Sequence, residues 1–233
     1  MDGRPLGEGA ALFKFDLGVV ARYLPFLVRG VGITIEFTLI SFLLAIVLGL
    51  VIALGRISKN RFVRIPCQIY IDFIRGTPLL AQVYLVHFGL PQIFGYKPVG
   101  FIDALIALTL NSSAYMAEIY RAGIESIEAG QMEAARSLGM TYGQAMRYVI
   151  LPQTIRRVIP PMGNEFITLL KESSLVSVIG MEDLMMRAKM MAGRSFRPFE
   201  AYFTSALIYL AMTFTFSRVL GRVEGRLKVS GRG

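Results

Sequence analysis

VGITIEFTLISFLLAIVLGLVIALG, residues 31–55, decides the fold class. A bilayer core about 30 Å thick is crossed by about 20 mostly apolar helical residues. Between Arg29 and Arg56 the only charge is Glu36. The stretch is too long for a signal-peptide core and long enough to span. Outward from it, four more stretches have the length of a span: 65–90, broken by Asp72, Arg75 and Pro78; 101–121, with Asp103 and Glu118; 158–179, with Glu165, Lys171 and Glu172; and 201–218, uncharged up to Arg218. The expectation is an all-α membrane protein with five transmembrane helices.

Composition agrees. Hydrophobic residues make up 54% of the 233 and charged residues 18%, with a formal net charge of +9. Soluble domains carry about 25% charge and 45–50% apolar residues, and disordered chains are far less hydrophobic. Cys67 is the only cysteine, so no disulfide can form within the chain. A basic chain raises the possibility of nucleic acid, but here the cations flank the apolar runs. Fourteen Lys and Arg fall on the side that holds the segments after spans 1, 3 and 5, and nine on the other. By the positive-inside rule the N-terminus is expected outside and the C-terminus in the cytoplasm. The two remaining cations, Arg75 and Lys171, lie within spans.

Ionisable residues at mid-bilayer cost about 2.5–3.5 kcal/mol each and usually face a bundle interior or a wet cavity. Asp72 and Arg75 stand three apart on one helix face, just before a break at Gly76-Thr77-Pro78. Such breaks are tolerated where they are buried in protein or line a cavity. Asn111, Ser112, Tyr115 and Glu118 share roughly one face of span 3. Pro160-Pro161 suits the first turn of span 4, followed by Asn164, Glu165 and Thr168. These nine polar residues are the candidate solute-binding set. Small and hydroxyl residues also serve helix packing, which is the plainer role for Ser112 and Thr168. A zwitterionic solute needs a cation for its carboxylate, and the planar fork of Arg75 suits that task. The acidic members hint at a cationic solute. Lone His87 and Cys67 offer no metal site, and no nucleophile–base pair points to an enzyme. The segment Met181–Glu200 reads as an interfacial amphipathic helix, or as a contact surface for an outside partner.

Residues 125–152 do not read as membrane. Gln131 to Leu138 suits a short helix stopped by Gly139. Thr141 and Gln144 have capping-box spacing for a second helix, ending at Pro152. Two short helices on a glycine turn make a compact cytoplasmic knob.

Glu133-Ala134-Ala135, three residues, Gly139, nine residues, then Val149-Ile150-Leu151-Pro152 resembles the EAA loop of ABC-importer permeases. Val149 stands where that pattern has Ile. The runs IYIDFIRGTPLLAQVYL, LNSSAYMAEIYRAGIESI and GNEFITLLKESSLVSVIG are similar to the polar amino-acid branch (histidine, glutamine, glutamate, arginine, opines). The resemblance covers roughly residues 27–222. It leaves 1–26 as an extracytoplasmic or interfacial segment and 223–233 as a cytoplasmic tail.

The resemblance implies the MetI-like type I importer fold and a multi-pass permease subunit of a prokaryotic plasma (inner) membrane, moving polar or charged amino acids by alternating access. It implies a second permease chain, identical or homologous, two copies of an ATP-binding subunit, and an extracytoplasmic amino-acid-binding protein. Glu133, Ala134, Ala135, Gly139, Leu151 and Pro152 would couple to the ATPase. The chain has no G-x-x-x-x-G-K-[ST] loop, so ATP and Mg belong to the partner and no cofactor is expected here. The competing class is a gradient-driven amino-acid or ion carrier, whose internal repeats are not seen.

Overall fold

The computed structural model describes residues 14–229, with side chains to residue 225. The segment 1–13 with Arg4, residues 230–233 with Arg232, and the side chains of Arg226 and Lys228 lie outside the described residues. Among the described residues every regular element is helical.

Helix α1 runs from Leu17 to Arg56, capped by the Asp16 carboxylate on the Val19 N–H. It therefore begins inside the stretch 1–26 that was expected to stand apart. Its buried stripe is mostly small or polar, with Thr34, Thr38, Ser41, Ala45 and Gly49 beside Leu27, Phe37 and Ile52, while Leu43, Val47, Val51 and Leu54 are exposed. A water-soluble helix would be arranged the other way round. In lipid, leucine gains nothing by leaving the solvent, so small residues that let backbones approach occupy the contacts instead.

Helix α5 (Gly100–Glu125) lies along that stripe. At Gly49 a Cβ would stand 2.6 Å from the Met116 Cβ and 2.9 Å from the Ser113 carbonyl oxygen. Backbone cannot move aside as a flexible side chain can. Gly49→Val is expected to destabilise the chain by about 1–3 kcal/mol, as overpacking does, read as a lower unfolding midpoint in detergent. Gly49→Ala should show a smaller loss in the same direction.

Helix α2 (Arg61–Gly76) ends where the sequence places the break, with Thr77 and Pro78 extended. The chain resumes as α3 (Leu79–Tyr84), a π-turn at Leu85–Gly89, and α4 (Leu90–Phe94). Helices α6 (Ala129–Ser137) and α7 (Tyr142–Ala145) form the knob. Gly139 sits between them at φ +83°, and Thr141 and Gln144 form the expected capping box.

The knob's second helix does not stop at Pro152. It passes through a π-turn at Met146–Ile150 directly into α8 (Leu151–Glu172). Both π-turns immediately precede a Leu-Pro pair, Leu90-Pro91 and Leu151-Pro152. The wider π-turn relieves the clash between a proline ring and the carbonyl four residues back, and the helix continues. Nor do Pro160 and Pro161 open a helix; they lie inside α8. Contacts on both sides override their cost: Val158 is buried where α8 crosses α5 at Gly123, and the Arg157 guanidinium donates to the Ser126 carbonyl.

A 3₁₀ segment, Ser173–Ile179, leads to α9 (Leu184–Ser195) and α10 (Pro198–Val229). Helix α9 packs against α1 and α10, with Leu184, Ala188 and Met191 fully buried. It is thus more deeply seated than an interfacial surface helix. The Thr34 hydroxyl accepts from the Leu184 N–H at 3.1 Å. The Asp183 carboxylate caps α9 by accepting the Met185 and Met186 N–H groups. Burial pushes that carboxyl up to about 6, against the pull of those bonds.

Among the described residues two helices are long and apolar enough to cross a membrane, Leu17–Arg56 and Pro198–Gly225. The other stretches expected to span are those interrupted by the charges and prolines noted above.

Candidate functional site

The break after α2 positions Arg75. A helix end leaves orphan carbonyls; here the Thr77 hydroxyl donates to that of Phe73 at 2.8 Å, and the next is taken by Gln82. Its amide donates to the Ile74 carbonyl at 2.8 Å and to the Thr77 carbonyl at 3.1 Å. Its own carbonyl accepts from Asn111 Nδ2 at 3.0 Å. Asn111, expected to face solute, is instead buried in this brace. The missed residue is Gln82, whose signal was a polar side chain four residues after a helix-breaking proline. Gln82→Ala would strand buried carbonyls at a cost of about 1–3 kcal/mol. The expected result is a lower unfolding midpoint and a mobile Arg75 segment in hydrogen exchange.

Arg75, held at this end, lines a cavity of about 550 Å³ with Tyr115, Glu118, Ile119, Ala122 and Gly123 of α5, Ser126, and Arg157, Pro161 and Glu165 of α8. Its guanidinium lies 3.6 Å from Glu118 and 5.4 Å over the Tyr115 ring. The Asp72–Arg75 pair suggested by spacing does not form. Asp72 is exposed and accepts from the Gln68 amide at 2.6 Å, because helix rotation turns it away from the α5 side.

Glu118 is the hub of the charges. Arg121 Nη2 reaches it at 2.7 Å and Nε at 3.1 Å, and Arg121 also pairs with Glu125. Since Arg121 already satisfies Glu118, Arg75 is the looser member, with 43% of its side chain exposed. Across the cavity, Glu165 accepts a 2.8 Å hydrogen bond from the Ser112 hydroxyl. A guanidinium, an aromatic face and a carboxylate thus converge on one space. That set can take a carboxylate at one end and an ammonium at the other.

Of the nine candidates, Arg75, Tyr115, Glu118 and Glu165 line the cavity and Ser112 orients Glu165. Asp72, Asn111, Asn164 and Thr168 do not line it. Asn164 is exposed on another side of α8 and Thr168 is half-buried there. Spacing along one helix gave their shared stripe but not its facing. Arg157 and Pro161 were not singled out for this space. His87 is structural, with Nδ1 2.8 Å from the buried Asp103. Glu36 is exposed on α1.

The knob carries a second kind of site. Ala135, Ala145 and Ile150 are its buried core. Ala135, expected at a coupling surface, is therefore inside the knob and sets the packing of its two helices. Glu133, Ala134, Gly139, Leu151 and Pro152 are exposed. Beside them stand Leu138, Tyr142 and Tyr148, which are 83%, 62% and 64% exposed. Sequence alone does not mark these three as a surface, because an apolar residue in a short amphipathic helix reads as core.

The chain matches the model of the family "Binding-protein-dependent transport system inner membrane component" over residues 45–229. It is 41% identical over 200 residues to a probable amino-acid ABC transporter permease protein, YckA, of Bacillus subtilis, covering 86% of this chain and 88% of that one. It is 39% identical over 216 residues to the arginine transport system permease protein ArtQ of the same organism, covering 92% and 98%. Among solved structures, one described as an amino acid ABC transporter with histidines superposes with TM-score 0.88 at 45% identity, over 92% of this chain and 100% of that chain. The MetNI methionine ABC transporter in an inward-facing form gives TM-score 0.75 at 21% identity, over 88% and 98%, which is a likeness of fold. An all-helical chain with lipid-suited packing, a break-held arginine and a helical knob therefore belongs to the binding-protein-dependent transport system inner membrane components.

Proposed function

We propose that the chain is the permease subunit of an ATP-driven importer that moves polar or charged amino acids into the cytoplasm. The observation that carries this reading is mechanical. The knob, with Leu138, Tyr142 and Tyr148 outward, joins without a break the helix whose Pro161 and Glu165 line the charged cavity. Gln153 donates to Gln131 at 3.4 Å, so knob and helix are braced to each other as well.

In this reading five stretches cross the membrane, with the N-terminus outside and the C-terminus in the cytoplasm. A separate ATPase subunit grips the knob, and its closure, powered by ATP and Mg held on that subunit, displaces α8. The cavity then opens alternately to the two sides. A solute delivered by an extracytoplasmic binding protein places its α-carboxylate on Arg75 and its ammonium toward Glu165. A second permease chain completes the pathway. The names of the relatives in B. subtilis, one of them an arginine system, support amino acids as the solute class.

The test is reconstitution of the chain with its ATPase and binding-protein partners in proteoliposomes. ATP-dependent uptake of Arg, Lys, His, Gln or Glu is expected. Uptake driven by an ion gradient without ATP would overturn the reading.

A further inference from the structure

Phe196 adopts φ +54°, and it is the one non-glycine residue with positive φ among the described residues. It is the C-terminal cap of α9, a position where glycine is customary because it has no Cβ to clash. Its side chain is nonetheless 87% exposed. The backbone turns here from α9 into α10 at Pro198, and among the described residues no ring or cation stacks on Phe196, so the exposed ring is left to contact something beyond them.

The surroundings say what. Phe199 and Phe203 stack at 5.5 Å with 9° between their planes, and Phe15 meets both edge-on at 6.2 and 5.9 Å. Phe199 and Phe203 are about half exposed, and the apolar surface continues along α10 through Leu207, Leu210 and Phe214. Cations border the cluster. Arg197 Nη1 donates to the Lys14 carbonyl at 3.4 Å and lies 3.5 Å from the buried Glu200. Arg194 and Lys14 form no ion pair with a described residue, and Arg194 rests 5.6 Å over Phe26. The nearby Asp16 carboxylate is occupied in capping α1.

We propose that this end of the molecule is a lipid-anchoring site. Phe196 with Phe199 and Phe203 enters the headgroup–acyl boundary, and Arg194 and Lys14 take the phosphate of an anionic phospholipid. The leaflet is the one at the N-terminal end of α1. The inference rests on the membrane-spanning reading above. Segments that lie at the headgroup–acyl boundary bury Phe, Leu and Trp there beside flanking Lys and Arg, the combination found at this end of the molecule. The apolar surface is continuous with the lipid-facing side of α10, and that continuity selects a membrane over a soluble partner.

The full complex, purified in maltoside, is titrated separately with phosphatidylglycerol and phosphatidylcholine while its unfolding midpoint is followed. Phosphatidylglycerol should raise the midpoint and phosphatidylcholine should do so much less. Phe196→Gly removes the strain and should raise the midpoint in detergent alone by about 2–4 °C. The same variant should lose most of the phosphatidylglycerol shift, a combination that mere damage to the fold cannot give. Arg194→Gln should weaken the apparent phosphatidylglycerol affinity about fivefold. A full lipid shift in Phe196→Gly, or equal shifts from the two lipids, overturns the proposal. So does a variant whose lipid shift is intact while stimulation of ATP hydrolysis by the binding protein falls, since the face would then be a protein contact. ATP-driven uptake by the wild-type complex reports on the permease reading separately. If uptake is absent and the phosphatidylglycerol shift present, the lipid site stands and the transport reading falls.

Discussion

Gly139→Val should abolish ATP-driven uptake, whereas Gly139→Asn should retain most of it. Gly139 joins the two knob helices at φ +83°. A β-branched residue pays heavily in this region, while asparagine enters it with far less strain. A Cβ at Gly139 would meet nothing within 4 Å among the described residues. The penalty is therefore conformational, not steric, and falls on the angle between α6 and α7. With valine the turn relaxes toward negative φ, so Leu138 and Tyr142 no longer present one surface. A left-handed residue costs about 1–2 kcal/mol, small against the whole fold but enough to depopulate one geometry of a knob whose own core is Ala135, Ala145 and Ile150. Co-purification of the ATPase subunit and uptake per ATP hydrolysed are the two measurements. Wild-type coupling in Gly139→Val would remove the knob from the mechanism. Loss in Gly139→Asn equal to that in Gly139→Val would show that side-chain bulk, not backbone angle, matters there.

That knob was the most legible part of the sequence, and the reason is local chemistry. A positive-φ glycine and a capping box are decided by residues within four positions of each other, so Gly139, Thr141 and Gln144 announce themselves. The first and last apolar stretches were legible for the same reason, since length and absence of charge need no partner. Pairing was not. Asp72 and Arg75 share a helix face in spacing, yet Arg75 finds Glu118 across the helix contact because the burial of Ile71 and Ile74 fixes the rotation of α2. The face of Asn111 on α5 points to the cavity in spacing, but the orphan carbonyl at the α2 break draws it into the brace through Gln82. Pro152 and Pro160 read as helix boundaries, and π-turn geometry and packing against α5 carried the helix through both. Each miss is a non-local contact outweighing a local signal.

Arg75→Ala should reduce uptake about tenfold to a hundredfold while leaving the complex assembled. The expected size is that of one hydrogen-bonded contact to a charged group, about 1.5–3 kcal/mol. Assembly survives because Glu118 keeps Arg121, whose Nη2 lies at 2.7 Å against 3.6 Å for the Arg75 contact. No buried carboxylate is stranded. Arg75→Lys retains the charge but not the planar fork, so it should fall between alanine and wild type. Arg121→Ala makes the contrast. It takes both Glu118 and Glu125 from their partner, and lower yield of assembled complex is expected before any change in solute affinity. The sign of the KM effect separates the roles: Arg75 variants should raise KM for every amino acid tested, since the α-carboxylate is common to all. Glu165→Gln should also raise it for every amino acid, since the ammonium placed toward Glu165 is common to all, and a neutral amide still accepts a hydrogen bond but no longer attracts charge. Full-rate transport by Arg75→Ala in a well-assembled complex would take the solute carboxylate away from Arg75. Arg157, the other guanidinium lining the same cavity, would then be the next residue to change, even though it already donates to the Ser126 carbonyl.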